Sequence, residues 1–206
     1  MLWNEMTDDE LMLAYAAGQN AAFEALYHRH EGALFRFVRR LLGHALAAQA
    51  DEAFQDTWLK IIGARASFVP GSARWKTWAF AIAHNTCLDR LRKSGREVVL
   101  TQDDEEADAP LDWLQAELGQ TSHSSEDTAH WRAAGQQLLH CLDGLPHAQR
   151  VVFLMHYEDD CTLHDMAKAL QIAAETAKSR LRYAMGKLRA CMAHYLDGTQ
   201  FSKASV

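Results

Sequence analysis

TLHDMAKALQIAAETAKSRLRYAMGKLRA, running from Thr162 to Ala190, is the stretch that decides the fold. It divides into a short helix, a tight turn around Gln171–Ala173 and a longer helix. In the longer helix Ala177, Leu181, Ala184 and Leu188 recur at three- and four-residue spacing and form an inward stripe. Glu175, Lys178, Ser179, Arg182 and Lys187 point elsewhere, mostly to one outward face. A charged helix face is often no more than a solvated surface. The short helix and turn in front of this one favour a helix-turn-helix instead. A helix whose N-terminal half carries Lys, Ser and Arg suits the DNA major groove, because its cations neutralise phosphates and a guanidinium can donate twice to guanine.

Outward from that motif the chain reads as helical. Its three prolines, Pro70, Pro110 and Pro146, all lie at breaks. TDDE at Thr7–Glu10 is a capping box that starts a first helix. Phe23, Leu26, Tyr27, Leu34, Phe37, Val38, Leu41 and Leu42 mark a second, with Arg29, Arg36, Arg39 and Arg40 mostly off that face. Further helices are expected through DEAFQDTWLKII, through WKTWAFAIAHNTCLDRLRK, near 127–143, after Pro146 through VVFLMHY, at TLHDMAKAL, and from about Ala174 to Tyr195. No segment shows sustained period-two alternation and there is no internal repeat. The expected fold is all-α: two small helical domains, residues 1–96 and 127–206, the second holding the helix-turn-helix. The joining residues, 97–126, are polar and acidic and read as a flexible linker, with Leu111, Trp113, Leu114 and Leu118 as the anchors of at most a short helix.

The 206 residues carry 27 acids against 21 Lys and Arg, a formal charge of −6 that at first argues against a nucleic-acid partner. Resolved along the chain, the charge is sorted. Residues 74–96 carry +5, residues 97–131 carry −10 with no base at all, and residues 168–189 again carry +5. Local fields, not net charge, decide what a surface attracts. The first basic island mixes Arg74, Lys76, Arg90, Arg92 and Lys93 with Trp75, Trp78 and Phe80, the mixture that holds flipped bases and tracks a single strand. Trp78, with Ile82 at i+4 and Leu91 beyond, reads as partly core. Trp75, beside Arg74 and Lys76, reads as the stacking candidate.

The longest apolar run, Leu11–Ala17, is too short to span a membrane, and MLWNEMTDDE has no features of a secretory signal. Cys87, Cys141, Cys161 and Cys191 are widely spaced with no CxxC pair, which favours free thiols in a reducing cytoplasm. His28 and His30 lie two apart on a helix and cannot share a face, and His156, Cys161 and His164 straddle a break, so the histidines read as polar surface and no metal or other cofactor is expected. No phosphate loop, GxSxG or HExxH occurs, and an enzyme is not expected.

Taken together, these segments resemble a bacterial RNA polymerase sigma factor of the extracytoplasmic-function (ECF) type. DDELMLAYAAGQNAAFEALYHRHEGALFRFVRRLLG resembles the start of that family's first domain, and ADEAFQDTWLKI its polymerase-binding helix. WKTWAFAIAHNTCLDRLRK resembles the segment that melts and reads the −10 promoter element. LPHAQRVVFLMHY followed by TLHDMAKALQIAAETAKSRLRYA resembles the domain that reads the −35 element. The resemblance covers about 150 of the 206 residues, with its segments in family order.

The resemblance implies a role for each matching position. Glu52, Gln55 and Asp56 match the helix that docks on the clamp of the polymerase β′ subunit. Trp75, Lys76, Asn85, Asp89, Arg90, Arg92 and Lys93 fall in the −10 segment, where Asn85 and Asp89 hold a flipped base and the cations meet the backbone. Lys178, Ser179, Arg180, Arg182 and Tyr183 match the −35 recognition helix. It further implies core RNA polymerase (β′ clamp and β subunits) and promoter DNA as partners, an anti-sigma factor as controller, and a cytoplasmic protein that such a factor sequesters at the inner membrane. The acidic linker would run toward the RNA exit path as a polyanion mimic. Gln171 and Glu175 stand where the family usually has Gly, Ala177 where it has Val, and Ala79 where it has Leu. The rival reading is a helix-turn-helix regulator that acts without polymerase, which leaves ADEAFQD and the WKTW segment unexplained.

Overall fold

The computed structural model describes residues 3–71, 73–95, 125–159 and 161–201. These form eight α-helices: α1 Asp8–Ala16, α2 Asn20–Leu42, α3 Ala50–Gly63, α4 Trp75–Lys93, α5 Ser125–Asp143, α6 His147–Asp159, α7 Leu163–Leu170 and α8 Ala174–Phe201. Short 3-10 turns occupy Trp3–Glu5, His44–Gln49 and Arg65–Ser67, and no strand occurs among the described residues. The fold is all-α. The acidic linker, including Leu111, Trp113, Leu114 and Leu118, lies outside the described residues.

Local chemistry sets the helix ends. Thr7 caps α1 as a capping box: its hydroxyl oxygen accepts from the Glu10 N–H at 3.3 Å, and its own N–H donates to the Glu10 carboxylate at 2.8 Å. Asp9, in the same first turn, works at a distance, accepting the Trp75 N–H at 2.8 Å and so capping α4 from another helix. Helix α2 buries Ala22, Leu26, Leu34, Phe37, Val38 and Leu41 on one face and stops at Gly43, whose φ is +69°. The backbone angle requires glycine, and a Cβ there, 2.5 Å from Asp143 Oδ1 and 2.8 Å from Arg150 Nη1, would also displace those two side-chain ends.

The first domain closes over an aromatic cluster. Trp75 is fully buried, 4.7 Å from the His30 ring and 6.3 Å from Trp58, and Phe37 meets Phe80 edge-on at 4.9 Å. Trp75 is therefore no stacking platform for a base. Its sequence neighbours are basic, but α1 and α2 cover it. Trp78 is half-buried and packs against the core beside Phe68 at 5.4 Å, as a partly core position does. The reading of histidine as polar surface also fails at His30 and His84, both buried. His30 Nε2 sits 2.9 Å from Asp8, and Arg29 donates to the same carboxylate at 2.6 Å. Burial pushes the Asp8 carboxyl up, but these two partners outweigh it and hold it below its ordinary range.

Five consecutive residues of α6, Val151 to Met155, are buried at 4% exposure or less. One helix face cannot bury five in a row, so α6 is covered all round. It packs on α8 on one side and on α2 and α4 on the other, and thereby joins the N-terminal and C-terminal helices in one hydrophobic core. The polar contacts of this junction are specific. Glu158 of α6, 7% exposed at its side chain, pairs with Arg40 and, at 3.3 Å, with Arg36. Arg150 donates to the Asp143 and Leu145 carbonyls at 2.5 and 3.2 Å, and Asp143 accepts the His44 N–H at 3.0 Å. His84 of α4 stacks on His147 of α6, with ring centroids 5.5 Å apart.

In the second domain Thr162 caps α7 by accepting the Asp165 N–H at 3.2 Å. Gln171 ends α7 in the left-handed region at φ 55° and ψ 44°, a position that costs a non-glycine residue on the order of 1 kcal/mol. Ala177, Leu181, Ala184 and Leu188 are all buried, as their spacing requires. The expectation of four free thiols fails at one pair. Cys141 and Cys191 are joined in a disulfide, because α5 and α8 pack together and bring residues 50 apart in sequence to a Cα separation of 5.9 Å. Cys87 and Cys161 are free and buried.

Two stability measurements follow. A cross-link closing a loop of this length contributes about 4 kcal/mol in the chain-entropy account, so reduction, or Cys191→Ser, is expected to lower Tm by about 10 °C. Equal Tm values with and without reductant contradict that assignment. Burial pushes the His84 ring down to about 4; the His147 ring goes down to about 3 through burial and the neighbouring His84 and Arg150. Both rings stay neutral in the folded chain where the unfolded chain takes up protons, so their contribution is complete above the ordinary value of 6.5 and is lost as pH falls below it. Tm should fall by several degrees between pH 7.5 and 5.0, and by less in His147→Leu; the same drop in both proteins would clear the histidine pair of this role.

Candidate nucleic-acid interface

Two helices carry the side chains that the sequence assigns to DNA. On α4, Asn85, Asp89, Arg92 and Lys93 are exposed at spacings of four, seven and eight, a single outward stripe along the helix. The opposite side of α4 is fixed by Ala79, Phe80, Ala83 and Cys87, all fully buried. A carboxamide, a carboxylate and two cations in one row can hydrogen-bond base edges and neutralise a backbone. Lys76 is half-buried, with Nζ 6.0 Å from the centroid of the Phe80 ring.

Arg90 lies beside this stripe and faces α3. It pairs with Glu52 at 3.1 Å and with Asp56, and its side chain is 13% exposed. Lys60 of α3 reaches Asp89 at 3.6 Å. The side chains assigned separately to polymerase and to −10 DNA thus form one charged seam between α3 and α4. A carboxylate network holds Arg90 here, which ties the two helices to each other.

The outward face of α3 carries Glu52, Gln55 and Asp56 as expected, and one residue more. Leu59 follows at the same spacing and is 65% exposed. Beside it Phe23, Tyr27, Phe54, Trp58 and Ile62 line a shallow groove of about 380 Å³. An apolar groove whose lining is polar only at Gln55 and the Tyr27 hydroxyl suits a protein partner better than DNA. Sequence reading passed over Leu59 because WLKII looks uniformly core-like. The signal was present: Ala53, Thr57 and Ile61 set the buried stripe, and Leu59 falls opposite it.

On α8 the buried stripe turns the first three turns outward. Glu175 and Lys178 are exposed, with their charged atoms 4.0 Å apart. Ser179 donates its hydroxyl to the Glu175 carbonyl at 2.8 Å. Arg180, Arg182 and Tyr183 are half-buried, and the Arg182 guanidinium lies 5.3 Å from the Tyr183 ring centroid. The helix ahead of α8 is pinned to the first domain: Asp165 of α7 accepts from Arg74, just before α4, at 2.9 Å. Burial pushes the Asp165 carboxyl up, while Thr162 and Arg74 outweigh it and hold it low.

Among the described residues no three His, Cys, Asp or Glu side chains converge as a metal site requires, and no helix is long and apolar enough to cross a membrane.

Comparison with known proteins agrees with this architecture. Sigma-70 region 2 matches residues 26–97, and Sigma-70, region 4 matches residues 135–188. The chain is 28% identical over 200 residues to the ECF RNA polymerase sigma factor SigM of Mycobacterium tuberculosis, covering 97% of this chain and 92% of that one. It is 33% identical over 155 residues to the ECF RNA polymerase sigma factor EcfG of Rhodopseudomonas palustris, covering 75% and 76%. Among solved structures, that of CnrH in complex with the cytosolic domain of CnrY shares the fold at a TM-score of 0.57 and 20% identity, covering 93% of this chain and 97% of that one. Two Sigma-70 regions in order, and relatives of this identity along most of their length, establish that the chain belongs to the ECF RNA polymerase sigma factors, the initiation factors that direct promoter-specific transcription.

Proposed function

We propose that the chain binds core RNA polymerase through the outward face of α3, holds the melted −10 strand along α4 and reads the −35 element with α8. The polymerase contact uses Glu52, Gln55 and Asp56 for charge and polarity, with Leu59 and its aromatic groove giving apolar area. At −10, Asn85 and Asp89 face the flipped base while Arg92 and Lys93 follow the phosphates; Arg90 supports this face through α3, and Trp75 serves the core beneath it. At −35, Lys178, Ser179, Arg180, Arg182 and Tyr183 enter or flank the major groove. The observation that carries the reading is the exposed row Asn85–Asp89–Arg92–Lys93 on a helix whose other side is rigidly buried. An anti-sigma protein that holds the chain inactive completes the proposal. The complex of CnrH with the cytosolic domain of CnrY supports it.

Reconstitution tests the reading. Core polymerase with this chain should give run-off transcripts from a cognate promoter that core alone does not give; failure to bind core at low salt would sink it. Lys178→Ala is expected to weaken binding to a −35 duplex about tenfold, the scale of one good groove or phosphate contact. Unchanged affinity removes Lys178 from the interface. Arg90→Ala should lower Tm by a few degrees and weaken core binding, since it frees Glu52 and Asp56 from the ion pairs that position them. A DNA-only defect with unchanged Tm and core affinity would place Arg90 on the nucleic acid instead.

A further inference from the structure

We infer that Glu175, at the head of α8, is a specificity-determining residue that selects a cytosine in the major groove, an inference that rests on the −35 reading above. Glu175, Lys178, Ser179 and Arg182 stand at spacings of three, four and seven and share one face of the helix. Ala177, Leu181, Ala184 and Leu188 hold the other face in the core. Glu175 is the second residue of α8, and its side chain is 86% exposed. The N-terminal residues of a recognition helix are those that reach base edges, so Glu175 enters the groove together with Lys178.

An acid on a face that meets a polyanion requires an explanation. Its ties within the chain are slight. The Lys178 ammonium lies 4.0 Å away, in a pair whose partners are 86% and 59% exposed, and such pairs contribute little. A carboxylate in the first turn suits the helix dipole, but that role is indifferent to which base stands opposite.

The base edges are not indifferent to the carboxylate. Thymine presents O4, and guanine presents O6 and N7, all of them acceptors that repel it. Adenine offers its N6 amino group, but the N7 acceptor stands beside that donor. Cytosine presents its N4 amino group with no acceptor of its own. A carboxylate that loses water in the groove is therefore compensated by cytosine and penalised by every other base. This is discrimination by exclusion as much as by attraction. Lys178, with its charge 4.0 Å from that of Glu175, is offset by about one base-pair step of 3.4 Å. It is the donor for a guanine O6 or N7 next to that cytosine.

Selection of promoter sequences tests the assignment. The full chain with core polymerase is mixed with duplexes randomised across both promoter elements, and the bound DNA is sequenced. The wild-type protein should enrich cytosine about tenfold at one −35 position, the discrimination that one base-edge contact gives. Glu175→Ala should flatten that position, leave the others unchanged, and bind duplexes lacking the cytosine more tightly than the wild type does. Glu175→Gln should move the preference at the same position from cytosine to adenine, because a carboxamide donates to N7 while it accepts from N6. Substitution at so exposed a site should leave Tm nearly unchanged, so an altered base preference reports the groove and not the fold. A wild-type preference that both variants retain overturns the inference, as does a loss spread evenly over all −35 positions. Lys178→Ala separates this failure from that of the −35 reading. If it weakens the selected duplexes while the Glu175 variants select the wild-type sequence, the inference alone falls. If neither residue affects any duplex, the −35 reading falls with it.

Discussion

A buried carboxylate at the end of α6 governs this structure. Five buried residues in succession oblige α6 to be covered on all sides, and Glu158 at its end has to find cations to be buried at all. Arg40 and Arg36 of α2 supply them. From that pairing follow the position of α6 on the first domain, the close approach of Gly43 to Asp143 and Arg150, and the stacking of His84 on His147. The helix-turn-helix is carried along because α8 lies on the other side of α6.

The reading surfaces inherit their rigidity from these cores. Asn85, Asp89, Arg92 and Lys93 stand in a row because Phe80, Ala83 and Cys87 hold the back of α4. Lys178 is presented because Ala177, Leu181 and Ala184 hold the back of α8, and because Gln171 accepts a left-handed turn that brings the helix into place. The charge seam of Glu52, Asp56, Arg90, Lys60 and Asp89 ties α3 to α4, so a partner that attracts the carboxylates of α3 alters the restraint on Arg90 of α4.

Much of this was legible in the chain itself. The capping box at Thr7, the bounds of α4 and the inward stripe of α8 are local patterns, and local patterns fix helices. What the sequence could not decide is which neighbour covers a given face. Trp75 and Trp78 lie three apart on a helix among basic residues, and Trp75 is the more deeply buried because Asp9 of α1, His30 of α2 and Trp58 of α3 close over it. Cys141 and Cys191 pair through packing that no spacing rule contains. The run VVFLM was read only as a helix. Its unbroken apolar character was itself a sign that two partners enclose it, and the burial of Glu158 next to it follows from that sign. Sorting the charge along the chain removed the objection that a net −6 raised against DNA, and the sorted islands fall on α4 and α8.

The account depends most on the pairing of Glu158 with Arg40 and Arg36. Thermal unfolding of the charge swap measures it directly. Arg40→Glu and Glu158→Arg should each lower Tm by several degrees, because each leaves a buried charge facing a like one, and the double variant should recover most of the loss. Losses that simply add in the double variant would contradict the account.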